Sequence, residues 1–157
     1  MHAQPLCFLA RNSCLCNFDQ ILHAKTLTLS VMSSPVYLKP NSEIVLCIDD
    51  NQDVLECEKA FLESFGYTVL IAPSGGKGLE LAFLHSIDVV IVDYLMPEMN
   101  GLELAVKMRR LRPHAPIIML SGAMDIPPNA LSSVDVFIAK NHLASQLLPA
   151  IVQLQAC

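Results

Sequence analysis

The chain has 157 residues, enough to bury one hydrophobic core of ordinary size. Hydrophobic residues make up 53% and charged ones 16%, which excludes a disordered chain and suggests an interior sheet covered on both faces. The net charge is −5 and no basic run goes beyond Arg109-Arg110-Leu111-Arg112, which excludes an electrostatic nucleic-acid footprint.

Residues 1–43 differ in character from the remainder of the chain. They hold Cys7, Cys14 and Cys16, little periodicity, and turn chemistry at Ser33-Ser34-Pro35 and Lys39-Pro40-Asn41-Ser42. The first basic residue, Arg11, follows the early apolar patch, so the order of a secretory signal is wrong; a transit peptide fits a little better, since acidic residues are scarce before Glu43, though arginine is scarce as well. The expectation is a disordered extension, or translation that begins at Met32. The cysteines show neither a metal-finger spacing nor a disulfide framework, and Cys14-Leu15-Cys16 has no second pair nearby; free thiols in a reducing cytosol fit best.

From Ile44 on, short apolar runs alternate with segments of helical period, as in a chain of strand–helix–strand units around a parallel sheet. Ile44–Ile48 reads as the first strand. Residues 53–65 place Val54, Cys57, Phe61 and Phe65 on one helical stripe, and Gly66 follows where a left-handed cap is wanted. Thr68–Ala72 is a second strand, and Ser74 caps a glycine-loaded helix over residues 75–85. Residues 87–92 form a near-continuous apolar run, as expected of a central strand buried on both faces.

Leu104, Met108 and Leu111 define a third helix over residues 101–112, with arginines near its C-terminal end and Pro113 to close it. Residues 117–120 make a fourth strand. Residues 123–133 are the poorest helix candidate because Pro127-Pro128 interrupts them. Residues 134–139 make a fifth strand, and Leu143, Leu147, Ile151 and Leu154 form the stripe of a last helix. Capped by Ser145, that helix would carry Pro149 in or just past its first turn. The charge-free run 141–157 contains His142, three glutamines and Pro149, so it does not read as a membrane span.

In an open parallel sheet the ligand crevice lies at the carboxyl ends of the strands. Asp49, Asp50, Asp93, Ser121 and Lys140 all stand at such ends. Three clustered carboxylates repel one another and need protonation or a cation, and a few hard oxygen ligands suit Mg²⁺. Asp50 and Asp93 would bind it directly and Asp49 through water. An aspartate nucleophile, a fixed ammonium from Lys140 and a hydroxyl donor from Ser121 are the groups a phosphoryl transfer requires. Ser74-Gly75-Gly76-Lys77-Gly78 lacks the leading glycine and the trailing hydroxyl of a phosphate loop, and no dinucleotide fingerprint follows the first strand.

Val-Val-Ile-Val-Asp-Tyr-Leu-Met-Pro-Glu-Met-Asn-Gly at residues 89–101 resembles the phosphoacceptor segment of the receiver domains of two-component response regulators, and the likeness extends over residues 44–154. The resemblance implies an α/β fold with a doubly wound five-stranded parallel sheet and helices on both faces. It implies Asp93 as phosphoacceptor, Asp49 and Asp50 as the acidic pair, the Leu95 carbonyl as a metal ligand, Lys140 as the family's lysine, and Ser121 and Phe137 as switch positions. It further implies a sensor histidine kinase or histidine phosphotransfer protein as donor, an unidentified downstream protein as partner, and a cytoplasmic signalling protein rather than a turnover enzyme; it leaves homodimerisation open. With a receiver over residues 44–157, the expectation is a stand-alone regulator whose output is a face made by residues 123–133, the fifth strand and the last helix. The family carries a proline after the lysine, where this chain has Asn141. Two other readings compete: a receiver that acts only as a scaffold, and an aspartate-nucleophile phosphatase of the haloacid dehalogenase type. The phosphatase needs a second acid two residues after its nucleophile, where Leu95 stands.

Overall fold

The computed structural model describes residues 43–122 and 132–156. The expected N-terminal extension, Met32, Cys14-Leu15-Cys16 and the helix candidate with Pro127-Pro128 therefore lie outside the described residues. Within them run β1 (Ile44–Ile48), α1 (Gln52–Glu63), β2 (Thr68–Ala72), α2 (Gly75–Leu84), β3 (Val89–Asp93), α3 (Gly101–Leu111), β4 (Ile117–Ser121), β5 (Val136–Ala139), a 3₁₀ turn at Lys140–His142, and α4 (Leu143–Gln155).

The strands pair in parallel in the order β2-β1-β3-β4-β5. Side chains alternate across each strand, so every strand feeds two cores. Val45, Cys47, Val89, Ile91, Ile118 and Leu120 face α1 and α4, which contribute Leu55, Phe61, Leu62, Leu147 and Ile151. Leu46, Ile48, Val90, Val92, Ile117 and Met119 face α2 and α3, which contribute Ala82, Leu104, Ala105 and Met108. The strand order turns back between β1 and β3, and in this doubly wound arrangement that is where a crevice opens at the carboxyl ends.

The helices start on the side chains that the local chemistry favours. Asn51 Oδ1 accepts from the backbone N–H groups of Asp53 (2.9 Å) and Val54 (3.4 Å), Ser74 Oγ from Lys77 (3.3 Å), and Asn100 Oδ1 from Glu103 (3.0 Å). Gly66 follows α1 with φ of 93°, the left-handed conformation expected of it.

Three expectations need correction. The buried face of α1 centres on Leu55, Glu58, Phe61 and Leu62; Val54, Cys57 and Phe65 are only half-buried at its margin, because the helix is rotated so that Glu58 turns inward. The last helix begins at Leu143, not at a Ser145 cap: the Lys140–His142 turn already sets the chain on a helical path, and Ser145 Oγ donates to the His142 carbonyl at 3.1 Å. Pro149 consequently lies inside α4. Finally, β3 starts later than expected and takes in Asp93, and β5 is confined to Val136–Ala139.

Candidate functional site

Parallel pairing in register brings the strand ends level. Ile48 pairs with Val92 and Asp93 with Leu120, so Asp49 and Asp50 leave β1 beside Asp93, while Ser121 ends β4 opposite Ala139, the residue before Lys140. Asp49, Asp93 and Ser121 are buried and Asp50 is exposed.

Lys140 joins the two sides of the crevice. Its Nζ donates to Asp49 Oδ2 at 2.9 Å and pairs with Asp93 Oδ1 at 2.9 Å. Asp49 Oδ1 in turn accepts from the Asn51 backbone N–H at 2.8 Å, which fixes the carboxylate against the start of α1. One oxygen from each of Asp49, Asp50 and Asp93 lies within 4.8 Å of the others, an arrangement able to hold a metal ion. At that separation two like charges repel by about 3 kcal/mol with an effective dielectric near 20, and one ammonium cannot offset three carboxylates. The cluster is thus short of positive charge, and its donors are hard oxygens of the kind Mg²⁺ takes.

The titration of the site follows from its burial. Desolvation raises the Asp93 carboxyl above its ordinary value; the hydrogen bond and charge of Lys140 oppose this, and Asp49 and Asp50 add to it. For Lys140 burial acts downward, but the hydrogen bonds and charges of Asp49 and Asp93 outweigh it and leave the ammonium above its ordinary value. Lys140 is therefore a permanent cation at neutral pH.

The loop after Asp93 is held back against the strand end. Gly101 N–H donates to the Tyr94 carbonyl at 2.9 Å, and a Cβ on Gly101 would come within 2.4 Å of the Asp93 carbonyl oxygen. Leu95 is 62% exposed beside this loop. Phe137 is half-buried on β5 and packs against the core on the α2 and α3 side. Every described peptide bond is trans, including the one that leads from Lys140 into Asn141.

The structure thus brings together Asp49, Asp50, Asp93 and Lys140, with Ser121 at the next strand end; Phe137 sits two residues before Ala139 on β5. Sequence reasoning missed Glu58. It is buried in α1, hydrogen-bonded with Cys47 on β1, and electrostatically linked to Asp49, Lys140 and Asp93. The available signal was its spacing: Glu58 lies three residues after Leu55 and four before Leu62, on the buried stripe itself. Cys47 and Cys57 are free thiols, and no helix of the described residues is long and apolar enough to cross a membrane.

Residues 45–151 match the family model described as the response regulator receiver domain. The transcriptional regulatory protein GlrR of Escherichia coli K12 is 35% identical over 83 residues, which is 53% of this chain and 19% of that protein. The response regulator SaeR of Staphylococcus aureus (strain USA300) is 32% identical over 78 residues, 50% of this chain and 34% of that one. The chain spans about a fifth to a third of the length of these curated relatives. Among solved structures, a receiver domain protein from Clostridium thermocellum superposes with a TM-score of 0.67 at 31% identity, over 73% of this chain and 94% of that one. The response regulator TrrA from Thermotoga maritima, solved in complex with Mg²⁺–BeF, gives a TM-score of 0.67 at 27% identity, over 71% and 98% of the two chains.

Proposed function

The chain belongs to the response regulator receiver domain family of two-component signalling, and on that premise we propose that it accepts a phosphoryl group on Asp93 from a sensor histidine kinase or a histidine phosphotransfer protein. The observation that carries this is Lys140 Nζ held 2.9 Å from both Asp49 and Asp93, with the three carboxylates in one oxygen cluster. Asp49, Asp50 and Asp93, with the Leu95 carbonyl, are the groups that would hold Mg²⁺. Bound there, the ion supplies charge neutralisation for the phosphoryl oxygens.

The protein's own groups do the remainder. An Asp93 carboxylate oxygen forms the new bond to phosphorus as the donor's phosphorus–nitrogen bond breaks, and the bonding pair leaves with the imidazole, which takes up a proton. Burial keeps the Asp93 oxygens poorly solvated and hence nucleophilic. Lys140 stays beside the transferred group as a fixed positive charge, and the Ser121 hydroxyl donates to a phosphoryl oxygen. Asp49 anchors Lys140 and, through the Asn51 amide, the start of α1.

The signal would arise from the same contacts. Drawing Ser121 toward the phosphoryl group makes room for Phe137 to move inward, which remodels the face of β5 and α4 for a downstream protein. Charge-assisted hydrogen bonds contribute roughly 1.5–3 kcal/mol each, and two of them approach the roughly 5.5 kcal/mol that moves a two-state equilibrium nearly to completion. Such a protein acts in the cytoplasm as a signalling element and not as a turnover enzyme.

The test is incubation with Mg²⁺ and acetyl phosphate, followed by intact mass measurement. Stoichiometric gain of one phosphoryl group, lost with chelator and in Asp93→Asn, is the expected result. Sustained phosphate release at a constant rate would favour a phosphatase, and no modification at all would favour a binding scaffold.

A further inference from the structure

Glu58 is 1% exposed, yet among the described residues no lysine or arginine forms an ion pair with it. One carboxyl oxygen is shared with the Cys47 thiol; the other, Oε1, is buried with no hydrogen-bond partner among the described residues. A buried, half-satisfied carboxyl costs stability, and an apolar residue would pack this position on α1 without that penalty. Its location suggests what it does. Cys47 stands two residues before Asp49, about 7 Å along an extended chain, so Glu58, hydrogen-bonded with Cys47, lies about one layer from the acid cluster. The groups that act on it come from three sides of the crevice: Cys47 on β1 and Asp49 just after it, Asp93 on β3, and Lys140 after β5.

We propose that Glu58 is a proton-linked member of the acid pocket: it releases its proton to solvent when Asp49, Asp50 and Asp93 take up Mg²⁺, so that affinity for the cation rises with pH. The step is an acid dissociation, in which the O–H bond breaks, the electron pair stays on the carboxylate and the proton passes to buffer. The inference rests on the metal reading of the cluster and extends it to a residue that touches no metal.

Burial, followed by the charge of Asp49, pushes the Glu58 carboxyl up to about 8, with Lys140 and Cys47 opposing. At neutral pH it is therefore mostly protonated. A double positive charge one layer away, in a partly buried setting, favours the ionised form by at least about one pKa unit, which corresponds to roughly tenfold in affinity between the two protonation states. Above its titration range Glu58 already carries the charge that attracts the cation, and below it the proton must first be displaced.

The experiment is titration of the full chain with MgCl₂ in buffers of different ionisation enthalpy, near neutral pH and on either side of it. Wild type is expected to release a measurable fraction of a proton per Mg²⁺ bound, with affinity rising about tenfold from roughly pH 6.5 to 8.5. Glu58→Gln and Glu58→Leu should bind Mg²⁺ without that release and with a flatter profile over this range. Mg²⁺ binding by wild type with no proton release, or with the same release in both variants, overturns the inference and leaves the metal reading standing. Failure of wild type to bind Mg²⁺ at all overturns the metal reading and this inference with it.

Discussion

Gly101 sets the shape of the loop that follows Asp93. A Cβ there would meet the Asp93 carbonyl oxygen at 2.4 Å and the Tyr94 Cα at 2.9 Å, both backbone atoms with no rotamer to yield. Gly101→Ala should therefore destabilise the protein by on the order of 3 kcal/mol, at the upper end of overpacking costs, and should also slow the proposed phosphorylation because the displaced atoms belong to Asp93 and Tyr94. Urea unfolding compared with acetyl phosphate labelling checks this, and an alanine variant of unchanged midpoint would refute the close approach. The closeness of Gly101 to Asp93 was not readable in the sequence, since contact across a loop leaves no mark in composition. The same holds for Glu58. A carboxylate in the middle of a helix ordinarily faces water, and only its position between Leu55 and Leu62 pointed inward. Asp49, Asp50, Asp93 and Lys140 were legible because each interrupts an apolar run at the end of a strand, where polar residues have few other reasons to be.

Among the elements, the strands were the most legible, because burial on both faces leaves near-continuous apolar runs, although β3 and β5 each start two residues inside the run that marks them. Helix boundaries were less so, and α4 shows why. Ser145 is a good capping residue by type, but the 3₁₀ turn at Lys140–His142 delivers the chain already wound, and the helix begins three residues before the one a Ser145 cap would start. Pro149 is then the seventh residue of α4, exposed, in the helix interior, where it has no N–H to offer the Ser145 carbonyl four residues back. Replacement by alanine restores that donor and a favourable propensity, for which the intrinsic difference is up to about 3 kcal/mol. Pro149→Ala should raise the urea midpoint at unchanged slope. A lowered midpoint would mean that the proline ring contributes packing that outweighs the missing hydrogen bond.

For the molecule as a whole, the sheet order β2-β1-β3-β4-β5 concentrates acidic oxygens at the point where the winding reverses, and one ammonium is their only ion-pair partner among the described residues. This arrangement is self-repulsive without a cation and stabilised with one, so the same substitution should act in opposite directions in the two conditions. Asp50→Ala removes the exposed member of the cluster and relieves repulsion, and its Tm in chelator should exceed that of wild type. Wild type should gain stability with added Mg²⁺ as RT ln(1 + [Mg²⁺]/Kd), about 2.7 kcal/mol at a hundredfold excess over Kd, a rise of several degrees for a domain of this size. Asp50→Ala should lose most of that gain, so that the ranking of the two proteins inverts between chelator and Mg²⁺. Matched ionic strength in NaCl separates site binding from screening, since screening acts on all exposed charges alike and produces no inversion. Parallel melting curves in both conditions, or equal shifts from NaCl and MgCl₂, would show that the carboxylates share a crevice without sharing an ion.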